Sequence, residues 1–245
     1  MNVKTSNTNS RDRADQTRKK ILRAAIREFS AHGLAGARTD LIAESAKVNK
    51  ALLYYYFKSK SGLYKAALDE VSAVVAERAF AALDPKYSAG ERLLRVALNH
   101  FDRILAQREF QSLMQQEMVR YQQGKSGAIP LIVAKLFKPL LQKLQETVLE
   151  GIRTAELCDQ DWVQVVYSML GANVFYFLSA PMMRVALPFH PFDHAAIASR
   201  RKAAVQFLGN ALFVDRAHGA KLAKRVLASV PMPQVKNVQF WRKLR

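Results

Sequence analysis

A chain with one cysteine cannot close an internal disulfide, and Cys158 is the only cysteine in these 245 residues. Stability must then come from burial, and a reducing compartment suits such a chain. The neighbours Glu156 and Asp159 would not depress a thiol pKa, which argues against a reactive cysteine. Glycine (10) and proline (8) are also scarce, although half of the residues are hydrophobic. That balance suits an all-α protein, and no period-two alternation or fixed-length repeat opposes it. No Walker loop, dinucleotide glycine fingerprint, Gly-x-Ser-x-Gly elbow or Cys-x-x-Cys pair occurs, and no Glu-x-x-His pair for a di-iron bundle. His190, Asp193 and His194 are close in sequence, but Pro191 interrupts any shared helical turn, and Asp193 reads more simply as a helix cap. The expectation is a protein with no catalytic site, cofactor or metal. The first residues lack the apolar core of a signal peptide, which leads to a cytoplasmic expectation.

Acidic residues are in short supply too: 20 Asp/Glu face 38 Lys/Arg, a net charge of +18. The excess sits at the two ends. Residues 1–60 hold 13 Lys/Arg against 5 Asp/Glu, and residues 217–245 hold 7 against none. The middle of the chain is nearly balanced. Basic ends attract polyanions, either nucleic acid or an anionic membrane.

What is present inside the first basic cluster is a helix-turn-helix pattern over residues 38–60. Thr39 is placed to cap a first short helix, with Asp40 in its first turn and Leu41, Ile42, Ala43 and Ala46 as its apolar side. Lys47-Val48-Asn49 makes the turn, and Asn49 caps a second helix starting at Lys50. Leu53, Tyr56 and Phe57 share one face of that helix, while Lys50, Ala51, Tyr54 and Tyr55 share the other. A small residue, a cation and two phenols on one free face suit a helix in a DNA major groove.

This stretch resembles the TetR-type helix-turn-helix transcriptional regulators, over about Arg11 to Leu68. Leu53-Tyr54-Tyr55-Tyr56-Phe57 followed by Ser59-Lys60 carries the likeness, with Ile42-Ala43 and Val48 in support. Two positions depart from the family pattern. Lys47 stands where the family has Gly in a left-handed turn. Leu52 stands where Thr is common, replacing a polar contact by an apolar one. The resemblance implies DNA contacts from Arg38, Thr39, Asn49, Lys50, Ala51, Leu52, Tyr54, Tyr55 and Lys60, with double-stranded operator DNA as partner.

Periodicity organises the rest. Residues 1–10 are small and polar and are expected to be disordered. An amphipathic helix runs from Arg11 or Ala14 to His32 on Ile21, Leu22, Ala25, Ile26 and Phe29, with Gly33 beyond it. Ser59 caps a longer helix to about Leu83, which Asp84-Pro85 ends. Further helices are expected over Ala89 to Gln107, Glu109 to Gln123, Pro130 to Leu157, Asp161 to Ser179 and His194 to Arg216. The expected division is a DNA-binding domain at 11–60, a larger helical domain at 61–218 and a basic tail at 219–245, with Phe240 and Trp241 as possible anchors. Trp162 to Met183 carries no charge and is long enough to raise a membrane-spanning reading. Gln164, Asn173 and Pro181 favour a buried helix, so no membrane partner is expected; binding to anionic membranes is the alternative.

The resemblance implies that the last two long helices pair with their copies in a homodimer. Trp162, Val166, Phe177, Ala204, Phe207, Leu208 and Ala211 are the candidate interface. It also implies a small-molecule effector held among the middle helices, where Phe101, Leu105, Met114, Met118, Tyr121, Phe137 and Tyr167 are concentrated. Asn173 is a candidate polar contact, with Asn99, Gln115 and Tyr176 left open beside it. The expected function is a transcriptional regulator, a repressor released from a pseudo-palindromic operator by an apolar or aromatic effector.

Overall fold

The computed structural model describes residues 4–125, 127–188 and 190–233. Among them the chain is helical, with no strand beyond one isolated bridge between Leu157 and Phe213. In chain order the helices are α1 (Lys4–Gly36), α2 (Thr39–Ala46), α3 (Lys50–Phe57), α4 (Lys60–Ala82), α5 (Ala89–Ala106) and α6 (Arg108–Gln122). Then come α7 (Ala128–Ile132), a π-helical turn (Val133–Phe137), α8 (Lys138–Arg153), α9 (Trp162–Ala186), α10 (His194–Ala211) and α11 (Arg216–Ser229).

Two compact units divide the chain. The first takes residues 1–74 and 109–134, the second 75–108 and 135–245. This differs from the expected boundary at residue 60: about the first two thirds of α4, most of α6 and all of α7 group with the helix-turn-helix. Three contacts show why. Ser112 Oγ and Gln116 Nε2 both donate to the Ser30 carbonyl of α1, at 2.6 and 3.0 Å. Tyr64 of α4 donates to Glu117 of α6 at 2.8 Å, where the carboxylate is almost fully buried and also meets Arg120. The Tyr64 ring in turn stands edge-on to Phe29 of α1, centroids 4.9 Å apart.

In the first unit Ile21, Leu22, Ala25 and Phe29 of α1 are buried as their spacing predicts. The helix breaks at Gly33, whose φ of 68° only glycine adopts at little cost. At its other end α1 starts at Lys4, so residues 4–10 are helical rather than disordered. The sequence there (Lys4 to Ser10) has no apolar residue, which is why hydrophobic periodicity does not find it.

The second unit is organised on α5, which buries Leu93, Leu94, Val96, Ala97, Leu98, Phe101, Ile104 and Leu105. Helices α8, α9, α10 and α11 pack on it. One apolar cluster joins Leu94, Leu98, Val148, Val166, Leu208 and Val226; a second joins Phe101, Leu105, Phe177, Phe192 and Ile197. Helices α10 and α11 cross closely: a Cβ on Gly209 would lie 2.7 Å from the Gly219 carbonyl oxygen, and one on Gly219 only 2.0 Å from that of Gly209. The expected tail is therefore folded to Ser229, since Leu222, Ala223 and Val226 form a buried stripe between its cations. The anchors Phe240 and Trp241 lie outside the described residues.

Candidate nucleic-acid interface

The reading helix is short and held from one side. Leu53 and Phe57 of α3 are buried, while Lys50, Ala51, Tyr54 and Tyr55 face outward, Tyr55 with 68% of its surface exposed. Leu52 and Tyr56 are half-buried at the border of the two faces. The division into an anchored and a free face is the one its spacing predicts.

The turn chemistry agrees. Asn49 Oδ1 accepts from the Ala51 amide at 2.8 Å, so this candidate contact residue is also the helix cap. Lys47 adopts the left-handed conformation (φ 56, ψ 47), at a cost of roughly 1–2 kcal/mol for a side chain where glycine would have none. Ser59 Oγ accepts from the Gly62 amide at 2.9 Å at the start of α4. A Cβ on Gly62 would lie 2.2 Å from the Phe57 carbonyl oxygen, so the junction of α3 and α4 requires glycine there.

Thr39 does not cap α2. Arg38 holds the cap position without a side-chain bond, and Thr39 opens the helix itself. The buried Thr39 hydroxyl instead meets the Tyr54 hydroxyl at 3.3 Å, tying α2 to the exposed edge of α3. Arg38 pairs with Asp40 at 2.5 Å, and that hydrogen bond holds the Asp40 carboxyl below its ordinary range. Its backbone amide donates to Glu28 at 3.0 Å, which fixes where α2 leaves α1. Lys60 is half-buried and donates to the Ala35 carbonyl at 3.0 Å. An ammonium carries three donors, so this bond positions the cation and leaves capacity for a phosphate. The Arg18 guanidinium lies 5.5 Å from the centre of the Phe57 ring, a contact that sequence spacing does not reveal.

The expected effector residues separate. Met114, Met118 and Tyr121 belong to the first unit; Phe101, Leu105, Phe137, Tyr167 and Asn173 belong to the second. Met118 and Tyr121 are each 51% exposed and Tyr167 72%, while Phe137 is half-buried. Phe101 and Leu105 are core residues packed with Phe177, and Met114 is buried in its own unit. Asn173 is the informative one. It is buried, its Nδ2 donates to the Ala97 carbonyl at 3.0 Å, and its Oδ1 has no partner. Beside it stands His100, Nδ1 3.5 Å from that Nδ2, with its pKa pushed down to about 3 by burial and by the Arg103 charge. The ring is neutral, and Nδ1 facing an N–H places the proton on Nε2. His100 went unremarked in the sequence; its neighbour Asn99, named among the polar candidates, was the available signal.

The candidate interface residues also separate. Val166, Phe177, Ala204 and Leu208 are buried within the chain's own core, so they are not a free surface. Trp162 is half-buried, Ala211 exposed, and Phe207 67% exposed. The outward face of α9 is carried instead by Tyr167, Phe175, Leu178, Met182 and Val185, the last 90% exposed. Next to it lies a groove of ≈ 360 Å³ lined by Phe175, Tyr176, Met183, Pro191 and Arg200 among others. Helix α9 is long and apolar enough to cross a membrane by length and composition. Among the described residues no three His, Cys, Asp or Glu side chains gather as metal ligands.

Residues 21–67 match the family model of bacterial regulatory proteins, tetR family. The transcriptional repressor NicS of Pseudomonas putida is 43% identical over 60 residues, 24% of this chain and 28% of that protein. The transcriptional regulator RutR of Escherichia coli is 49% identical over 65 residues, 26% of this chain and 31% of that protein. The chain thus spans less than a third of the length of these relatives, and the likeness is confined to the reading head. Over a longer stretch the fold is shared with solved structures of low identity. A transcriptional regulator from Saccharomonospora viridis in complex with choline has a TM-score of 0.64 at 18% identity, covering 81% of this chain and 98% of that one. A gamma-butyrolactone receptor has a TM-score of 0.63 at 21% identity, covering 89% and 100%.

Proposed function

We propose, from the premise that this chain carries the helix-turn-helix domain of the tetR family of bacterial regulatory proteins, that it is a ligand-responsive repressor of transcription. The observation that carries the reading is the free face of α3: Lys50, Ala51, Tyr54 and Tyr55 outward, Leu53 and Phe57 anchored. Such a face brings donors to base edges while Lys60 and Arg38 meet phosphates. Two copies would read a pseudo-palindromic operator at half-sites about one DNA turn, ~34 Å, apart.

The second copy is supported by α9 and α10. Tyr167, Phe175, Leu178, Met182 and Val185 share one side of α9 and are exposed, as is Phe207 of α10, large apolar side chains of the kind a partner surface covers. The reading assigns that face to a homodimer contact and makes membrane binding the competitor. Effector control is supported by the unpartnered Asn173 Oδ1 beside neutral His100, a polar pair in the second unit. An apolar or aromatic effector with one hydrogen-bond donor would satisfy it. Of the structural neighbours, one is in complex with choline and another is a gamma-butyrolactone receptor, so small molecules figure in both.

Selection of bound DNA from a random pool, followed by gel shift, tests the core of this. A recovered inverted repeat, bound by the wild type and lost in Tyr54→Ala with the helical content unchanged, is the expected result. No enrichment, together with pelleting on anionic vesicles, would replace the reading by the membrane one.

A further inference from the structure

Helices α10 and α11 cross with no acidic residue in either. Between them, bounded also by Met232, lies a cavity of ≈ 450 Å³, a volume in the range of small-molecule sites. Arg201 of α10 lines it and is almost fully buried. Its Nε and Nη2 donate to the two oxygens of the Asp102 carboxylate on α5, both at 2.8 Å. Nη2 also reaches the carbonyls of Val230 and Pro231, at 3.0 and 3.4 Å. Those bonds fix the plane of the guanidinium and leave Nη1 with two N–H donors and no partner among the described residues. Nη1 is not one of the side-chain nitrogens sealed away unbonded, so it opens to solvent. Lys202 of α10 and Lys224 of α11 line the same cavity, and neither enters an ion pair among the described residues, whereas Arg225 is held by Glu91. Gln206 adds an amide, while Ala198, Leu227 and Met232 supply the apolar walls. Asp102 is already matched by Arg201, and no acidic residue follows residue 216, so the downstream chain supplies no counter-charge for the lysines.

We infer that this cavity is a second ligand site, separate from Asn173 and His100, that takes a small amphipathic anion. A carboxylate head meets Arg201, Lys202 and Lys224, and a short apolar body lies against Leu227 and Met232. Each half of the lining excludes something. The three cations repel a positively charged ligand, and the apolar walls gain nothing from a bare inorganic anion. Arg201 is held in place by Asp102 before any ligand arrives, so its remaining donors are pre-oriented toward a planar head. A bound anion would join α10 and α11 and, through Arg201, α5. It would thereby stabilise the second unit by mass action.

Calorimetric titration of the full chain with octanoate tests this without any DNA, so it stands or falls apart from the reading of α3. Wild type should bind octanoate, and its melting temperature should rise with octanoate concentration. Lys202→Gln/Lys224→Gln alters only exposed side chains, so circular dichroism should be unchanged. Octanoate should weaken about tenfold in that variant, and its salt dependence should flatten. Ala198→Phe, which fills the apolar side, should weaken it as well, and His100→Gln should not. Octyltrimethylammonium and inorganic phosphate should bind wild type far more weakly than octanoate does. No binding to wild type, unchanged affinity in Lys202→Gln/Lys224→Gln, or equal binding of the cation overturns the inference. A loss in His100→Gln would move octanoate to the Asn173 pair and overturn it too. So would phosphatidylglycerol vesicles that displace octanoate and lose their hold in the lysine variant, since the lysines would then serve a lipid headgroup.

Discussion

Replacing His100 by Gln should flatten the acid side of the stability curve. The folded imidazole titrates at about 3 against an ordinary 6.5, because burial and the Arg103 charge both disfavour its cation. Below about 6.5 the unfolded chain takes up a proton that the folded ring refuses. Stability from this group is therefore complete above 6.5 and is lost as pH falls toward 3. Between about pH 7.5 and about pH 5 the linkage amounts to ~2 kcal/mol, an upper figure since the ring is only half-buried. Asp102 acts in the opposite sense: burial raises its pKa, so it favours the folded state as pH falls. That contribution is common to both proteins and cancels in the difference. The assay is urea unfolding by circular dichroism at both pH values. Wild type should lose ~2 kcal/mol more than His100→Gln across the interval, and the glutamine carbonyl can still accept from Asn173. Parallel curves for the two proteins would show that the ring is not held neutral, and would remove the polar pair from the effector reading.

Three further outcomes follow from contacts already described. Tyr64→Phe strips a donor from the buried Glu117 carboxylate and should cost about 2 kcal/mol in urea unfolding, the range for a hydrogen bond to a charged group; a change near zero would mean that carboxylate is satisfied without the phenol. Lys60→Ala should reduce the salt slope of operator binding by roughly 2 for a dimer and weaken all sequences alike, as titrated gel shifts would show. Phe207→Glu changes a side chain that the monomer leaves 67% exposed, so the protein should stay folded and run as a monomer by light scattering; a wild type already monomeric at micromolar concentration would count against the dimer.

Local chemistry was readable and long-range chemistry was not. Asn49 as a cap, the left-handed Lys47, the buried pair Leu53 and Phe57 and the break at Gly33 all depend on neighbours within a turn or two. The faces of α9 could not be assigned because an uncharged helix has no polar stripe to set the phase. Val166 and Phe177 consequently looked like interface residues, and Phe175 and Val185, which face outward, went unnamed. Met118 and Tyr121 shared composition with a pocket lining, yet composition does not say which unit a helix joins. That α6 belongs with the reading head rests on Ser30, Ser112 and Gln116, polar residues meeting across more than eighty positions. Helix α11 was legible in principle: Leu222, Ala223 and Val226 keep helical spacing, but the cations between them made the stretch look like a tail.

Helix α5 has a consequence for how the protein is made. It is sheathed in the finished fold by α8, α9, α10 and α11, every one of which lies downstream, the last ending at Ser229. A ribosome adding about 5–20 residues per second leaves that apolar helix without its cover for on the order of ten seconds. The reading head also waits, since Ser112, Gln116 and Glu117 reach it only after α5 has emerged. Both units therefore close late in synthesis, and a stalled or truncated nascent chain would present Leu93, Leu94, Leu98 and Phe101 to whatever chaperone or neighbour reached them first.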